Sequence, residues 1–385
     1  MAGMPGVIFA CRPVISVLFS RRRALSDYAS VDKSALIFIA YAVLSFYIAI
    51  KEIKRNRTHF YSTLFLRTNL IIFILYCGLS FISMLWTVNI PLTGYRAFEC
   101  VSNFLLIAVV VSKLQHSYGT QAMVEWVLEW YVCFDIFCRV LQCVPYWGIM
   151  LQLAQMTATV FFFLAIFHSN NHVIRIVIAV FSFFSKSTTS YIGMSVGTLG
   201  LLWGNKRMKL ILIILVLVLM GAVLTWGGYH VLKNTVFINR VDIGMEYTSG
   251  RDKVWSVAFD AAYKRPWTGY GFFSGEPYIL YQHFRGAINA HSSFCSALIG
   301  LGFPGFVLIS LYIFSYLPIL LGKNLSAKYR VALIGCYTVA VCHCIANPGI
   351  GSRVYGSWTS VVTLFLMINV IALTNEETKI ARNSG

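Results

Sequence analysis

Long apolar runs dominate the chain, and short basic segments separate them. Runs at 4–19, 34–50, 68–87, 98–112, 121–140, 145–167, 172–185, 189–204, 210–226, 303–322, 328–346 and 355–373 carry few charges. Most reach or approach the roughly 20 residues that a helix needs to cross a bilayer. Backbone in hydrocarbon must satisfy its own hydrogen bonds, so runs of this kind read as helices. The pattern predicts an all-α polytopic membrane protein with about 11–12 transmembrane helices, depending on whether 4–19 crosses. Arg12 and Pro13 interrupt that first run, and Arg21, Arg22 and Arg23 follow it instead of preceding it. It therefore reads as a first membrane segment or an interfacial one, not as a cleavable signal. No internal repeat and no pair of matching broken halves is visible, which speaks against an inverted-repeat transporter.

Lysine and arginine between the runs set an expected orientation. Lys51, Lys54, Arg55, Arg57 and Arg67 mark 51–67 as cytoplasmic, as do Lys206, Arg207 and Lys209, then Lys323, Lys328 and Arg330, and the tail residues Lys379 and Arg382. These four agree in parity when 227–302 is external and "HSSFCSALIG" does not cross. Arg21 to Arg23 and Lys33 fall on the other side, which leaves the N-terminus open. The expected organisation is an N-terminal helix bundle at 1–226, an external loop with amphipathic helices at 227–302, and C-terminal membrane helices with a cytoplasmic tail at 303–385.

Composition supports the membrane class. Hydrophobic residues make up 58% of the chain and charged residues only 12%, against about 25% charged in soluble domains. The formal net charge is +17. Its basic residues punctuate the apolar runs and form no continuous face, which fits topology signals and anionic lipid headgroups and not nucleic acid. The ten cysteines lie mostly within apolar runs, where thiols pack as small hydrophobes. "CHC" at Cys342, His343 and Cys344 has a metal-like look, but adjacent positions on a helix point apart. No D-x-D pair, no P-loop and no G-x-G-x-x-G that opens a strand–helix unit occurs. The expectation is no metal and no cofactor, with any bound anion neutralised by arginine and lysine.

The external loop carries the candidate chemistry. In "TSGRDKVW", Ser249 and Asp252 form an S-x-x-D capping box. Val254, Trp255, Ala258, Ala261 and Ala262 then make one apolar helix face, and Pro266 ends the helix after Lys264 and Arg265. Arg251 falls in the first turn. Free N–H groups and the helix dipole favour an anion there, and a guanidinium adds a bidentate donor. An interfacial helix with a snorkelling arginine fits the same pattern. His291 precedes a short apolar stretch at the mouth of the next span. An imidazole that titrates near neutrality suits a general base, and a solvated loop histidine is the plainer alternative. Glu125, Glu129, Asp135 and Arg139 share one apolar run. Charges within a span are functional candidates, but Asp135 and Arg139 are spaced i, i+4 and can pair.

"SGRDKVW", "KRPWTGYGFF", "NAHSSF" and "LGFPG" follow one another in that order. Together they resemble the bacterial O-antigen ligase and polysaccharide polymerase superfamily. Its pattern is roughly SGR-x-x-x-W, RP-x-x-G-x-G, a His-Asn pair and a G-x-x-G turn. The resemblance implies a GT-C-like glycosyltransferase of the bacterial inner membrane, acting at the periplasmic face without a metal. The implied donor is an undecaprenyl-pyrophosphate-linked glycan; the acceptor is a glycan or lipid A-core. Membrane lipid and a chain-length regulator are further implied partners. Arg251 matches the arginine facing the pyrophosphate, and His291 the histidine that activates the acceptor hydroxyl. Arg96, in "IPLTGYRAF", falls where members carry another functional arginine. Lys186, Arg265 and Trp255 complete the implied substrate-binding set. Two features depart from the pattern. Ser292 stands where asparagine is usual, and "SKSTTSYIG" replaces the Ser-Arg-Gly of ligases and looks more like exopolysaccharide polymerases. The implied activity is polymerisation of repeat units with inversion, a ligase being the nearest alternative. A flippase or a structural partner of an assembly complex would be rivals of other classes. The gathering of Arg251, Lys264, Arg265, Arg285 and His291 near one external face favours the transferase.

Overall fold

The structure is a computed structural model describing residues 3–19, 33–56, 60, 68–146, 149–183, 188–202, 251–284, 289–322, 325–347, 350 and 356–383. Among the described residues the secondary structure is helical, without strands. In order come α1 (Gly3–Phe19), α2 (Lys33–Arg55), α3 (Thr68–Ile82), a 3-10 turn (Ser83–Leu85), α4 (Ile90–Trp126), a π-turn (Val127–Cys133) and α5 (Phe134–Tyr146). Then follow α6 (Ile149–His168), α7 (His172–Phe183), α8 (Thr188–Leu202), α9 (Arg251–Lys264), α10 (Gly275–His283) and α11 (Ser293–Phe314). The last are α12 (Leu317–Leu321), α13 (Ala327–Ala346) and α14 (Gly356–Asn383). Among the described residues five helical stretches are long and apolar enough to cross a membrane, and four shorter apolar helices accompany them. The chain is an all-α, multi-pass membrane protein. The expected span at 210–226 and the basic group at 206–209 lie outside the described residues.

The runs at 98–112 and 121–140 are joined. A continuous helical stretch, α4 followed by the π-turn and α5, spans both, but Gly119, at φ +82° and ψ +172°, breaks α4 between them. Those angles are open to glycine alone at low cost. Helix α1 packs into the bundle through Phe9, whose ring stacks on Tyr131 at 4.9 Å and on Trp126 at 6.3 Å.

Lipid tails are as apolar as leucine, so close packing and polar links, not hydrophobic burial, hold helices together in a bilayer. Both devices are present. Helix α14 lies in the interior with Trp358, Val361, Leu364, Phe365 and Ile368 all buried, as expected of a helix apolar all round. Helix α8 presents Gly193 and Gly197 to α13; a Cβ on Gly193 would sit 3.0 Å from the Val339 Cα. Asn69 donates to Asn369 at 2.7 Å, and Asn369 donates to the Tyr316 hydroxyl at 3.2 Å, joining α3, α14 and the turn between α11 and α12.

Asp135 and Arg139 form the expected i, i+4 pair at 2.8 Å, both buried. Thr157 donates to the same carboxylate at 2.9 Å. A buried pair needs such added hydrogen bonds to offset its desolvation. Glu125 is held elsewhere, by Gln121 at 3.1 Å and by Asn170. The "CHC" residues do not converge: the buried His343 ring meets Thr159 at 3.1 Å and Asn347 at 3.1 Å.

One break in a helix fixes the position of the 266–275 stretch. Gly302, at φ +67° and ψ −160°, interrupts α11 just before Pro304. Proline has no N–H, so the carbonyl of Gly300 loses its helical donor. The N–H of Phe303 turns instead to the carbonyl of Pro266 at 2.7 Å, which releases Ile299 as well. The loop refills both vacancies: Tyr270 N–H donates to Ile299 at 2.9 Å, and Gly271 N–H to Gly300 at 2.8 Å. Backbones this close exclude side chains. A Cβ on Gly269 would lie 2.6 Å from the Gly300 carbonyl, and one on Gly302 would collide with the Pro266 carbonyl. "RPWTGYG" and "LGFPG" are thus two halves of one joint.

Replacing Gly302 or Gly269 with alanine should therefore destabilise the protein. The left-handed backbone alone costs roughly 1–2 kcal/mol for a residue with a Cβ, and the collision adds to it. Gly78 is the control, because a Cβ there meets nothing within 4 Å. In detergent, Gly302→Ala and Gly269→Ala should lower the apparent melting temperature while Gly78→Ala leaves it unchanged or raises it.

Candidate active site

The joint carries the 266–275 stretch onto the segment between α3 and α4. Phe272 N–H donates to the Ser83 hydroxyl at 3.0 Å, and Trp86 Nε1–H to the Thr268 carbonyl at 2.7 Å. The hydroxyls of Thr87, Thr93 and Ser274 form a closed cluster, and Thr93 reaches the Phe272 carbonyl at 3.1 Å. Asn89 caps α4 by accepting from Leu92 N–H at 3.1 Å, the satisfaction of a free donor that a helix start requires.

This arrangement brings Arg96 to the same end. Its guanidinium lies 4.8 Å from the Phe273 ring centre and 5.0 Å from that of Tyr95, and pairs with Glu99 at 2.7 Å. Phe273 itself sits at φ +60°, an unusual conformation for a side chain of that size. Arg265 is exposed and lies 4.7 Å from the Tyr270 ring centre, within range of a cation–π contact.

Arg251 is the first residue of α9, and the helix ends at Lys264, ahead of Pro266. Its backbone therefore stands where helix N–H groups lack helical acceptors. The Arg251 side chain, Ser249, Lys186 and Arg285 lie outside the described set. The inner face of α9 packs Ala258 and Ala261 into a cluster with Ala290, Cys295 and Ile299. One helical turn beyond Arg251, Trp255 donates from Nε1 to the Ala290 carbonyl at 2.9 Å. The start of the arginine helix is thereby tied to the residue preceding His291.

His291 is exposed and occupies a left-handed turn, φ +49°. Asn289 builds the turn, its Oδ1 accepting the His291 N–H at 3.1 Å; asparagine favours such local bonds. Ser292 then caps α11, accepting from Cys295 N–H at 3.5 Å. Ser293 is locked below it: its hydroxyl accepts from Ile350 N–H at 3.0 Å.

Glu276 is the residue that sequence reasoning missed. It is buried, 1% exposed, and its Oε1 accepts from Ala290 N–H and from the Ser296 hydroxyl, both at 2.6 Å. It lies in the first turn of α10, where helix N–H groups favour a negative charge. An acidic residue at a helix start is visible in "SGEPY", but its partners on a later turn are not. The described residues thus tie the start of α9 to the turn that carries the exposed His291, and tie the 266–275 stretch to the start of α4, which carries Arg96.

No curated protein matches the chain. Residues 173–310 match the Wzy_C family model, described as O-antigen ligase. That segment includes Lys186, Arg251, Trp255, Arg265, Glu276 and His291, and leaves Arg96 outside it. Over that segment the chain is similar to the O-antigen ligase family model, which supports the resemblance read from the motifs.

Proposed function

We propose that the protein polymerises lipid-linked oligosaccharide repeat units at the external face of a bacterial inner membrane. The observation that carries this reading is the Trp255–Ala290 hydrogen bond at 2.9 Å, which couples the Arg251 helix to the His291 turn. The donor is an undecaprenyl-pyrophosphate-linked glycan. Its pyrophosphate lies against the start of α9, with Arg251 and Arg96 stabilising the charge that grows as it leaves; Arg265, Trp255 and Lys186 contribute to substrate binding. His291 takes the proton from the attacking sugar hydroxyl. The acceptor oxygen forms its bond to the anomeric carbon as the bond to the pyrophosphate oxygen breaks, on the opposite face, so the centre inverts. Preorganised positive groups at the leaving oxygen are the kind of stabilisation that often contributes most to rate.

The family description favours a second reading, a ligase that moves finished glycan to lipid A-core. The site is the same and only the acceptor differs. Purified protein given lipid-linked repeat units alone should lengthen them if it is a polymerase. A ligase should transfer only when lipid A-core is added.

Three further outcomes are expected. With native thiols removed, a cysteine at the exposed position Tyr263 should react with an impermeant reagent applied outside, and one at Asn56 should not; the reverse pattern would invert the proposed orientation. Transfer should survive EDTA, since no carboxylate pair of the D-x-D kind is present; loss on chelation with recovery on Mg²⁺ or Mn²⁺ would overturn the arginine account. Arg251→Lys keeps a charge and loses the planar fork, so it should slow transfer on the order of 10-fold or more, a factor equal to about 1.4 kcal/mol. Arg251→Ala should cost more. His291→Ala should leave donor binding nearly intact while slowing transfer. Near wild-type rates in all three variants, each shown to be inserted and monodisperse, would reduce α9 to a surface anchor and His291 to a loop residue.

A further inference from the structure

The geometry points to Glu276 as the positioning residue for His291, acting through the Ala290 amide, a role that rests on the proposed part of His291 in transfer. Three observations meet here. Ala290 is buried, 0% exposed, and both of its peptide groups are claimed by fixed partners from other elements. Its N–H donates to Glu276 Oε1 at 2.6 Å, and its carbonyl accepts from Trp255 Nε1 at 2.9 Å. The next residue, His291, is at φ +49°. A peptide clamped from both sides fixes the direction in which the chain leaves it, and so the Cα–Cβ vector of His291. The turn alone would not do this: the local Asn289 bond spans only two residues and moves with the loop.

The same carboxylate oxygen also accepts the Ser296 hydroxyl at 2.6 Å, one turn into α11. Glu276 therefore holds the histidine turn and the helix that follows it as one body. The residue is well suited to its place. The Ala290 N–H and the Ser296 hydroxyl are neutral donors, and a carboxylate accepts such donors more strongly than a neutral oxygen would. Its charge sits at the start of α10, where the helix dipole offsets part of the cost of burial. Without it, a buried N–H loses its acceptor, and such a group is costly to leave unpaired. The turn would shift to find water or another partner, and the imidazole would move with it. Displacements on the order of 1 Å in a reacting group can lower rate on the order of 100-fold.

The residue does not touch substrate in this account, so the tests separate positioning from fold and from chemistry. Glu276→Gln keeps an acceptor oxygen and should retain transfer within a few-fold. Glu276→Ala should slow transfer on the order of 10-fold or more, in kcat more than in KM for the acceptor, with donor binding unchanged. Should Glu276→Ala fail to fold, Ser296→Ala removes one donor to the carboxylate while keeping a helical side chain, and should give a smaller loss of the same kind. Hydrogen exchange at the 289–296 peptide should quicken in Glu276→Ala and stay slow in Glu276→Gln. The double variant Glu276→Ala, His291→Ala should be no slower than His291→Ala alone, because a residue acting through another adds nothing once that other is gone. Additive losses, or unchanged exchange in Glu276→Ala, would overturn the inference. If His291→Ala transfers normally, the general-base reading falls first, and exchange at 289–296 still reports whether Glu276 holds the turn. If His291→Ala is slow and Glu276→Ala is not, the positioning role alone falls.

Discussion

The end of the bundle that carries the candidate site depends on an exchange of backbone hydrogen bonds at the break in α11. Gly302 and Pro304 free the carbonyls of Ile299 and Gly300, and the N–H groups of Tyr270 and Gly271 take them up. Unpaired backbone groups within a membrane bundle are costly, so neither partner is stable alone. A helix broken here needs the loop, and the loop, otherwise poor in regular structure, acquires a fixed position from the helix. From that joint the chain runs in two directions. One leads through Phe272 and Ser274 to the start of α4 and Arg96. The other leads down α11 to Ser292 and the histidine turn. Elements far apart in sequence share one reference point through these backbone hydrogen bonds.

The rest of the bundle supplies rigidity by other means. Glycines let α8 approach α13, and amide or hydroxyl side chains tie α3, α14 and the end of α11 together. The Asp135–Arg139 pair belongs to this second kind of link. Its carboxylate also accepts from Thr157, whose hydroxyl in turn accepts from Ser360 at 3.3 Å. The pair crosses from α5 through α6 to α14. Charges within a span invite a catalytic reading, but here each formal charge faces its partner and the network runs between helices, which is what a structural clasp requires.

Much of the fold was legible because a bilayer simplifies the code. Length and polarity of a run decide whether it is a helix, and the runs at 34–50, 68–87 and 328–346 each became one. Breaks inside runs were harder. Gly119 and Gly302 are single residues, and whether a glycine bends a helix or merely sits in it depends on what waits outside to accept the freed backbone. For Gly302 that partner is Pro266, remote in the chain and in an element without periodicity. The site divides along the same line. Arg251, Trp255 and His291 could be singled out as candidates because they stand in short motifs with local logic, a helix start and a turn. Glu276 was not, since nothing in "GEPY" announces a contact with Ala290, fourteen positions later. Ser292 was legible only as a departure from an expected asparagine. Its geometry explains the departure: the position caps α11, and serine and asparagine rank together as caps.

The placement of Arg96 bears on how charge is managed in the proposed reaction. The chain is strongly basic, with 31 lysines and arginines against 14 acids, yet Arg96 lies beside Glu99 at 2.7 Å. The pair lowers the net charge that a pyrophosphate meets at this point. It also fixes the fork, together with the rings of Phe273 and Tyr95, before any substrate arrives. In this reading the two arginines differ in kind. Arg251 stands at a helix start and is the proposed partner of the departing anion. Arg96 is oriented and partly neutralised, and contributes direction more than attraction. A leaving group must be stabilised and then released. One strong and one tempered cation meet both demands better than two strong ones, because a product pyrophosphate held by two full charges would leave slowly.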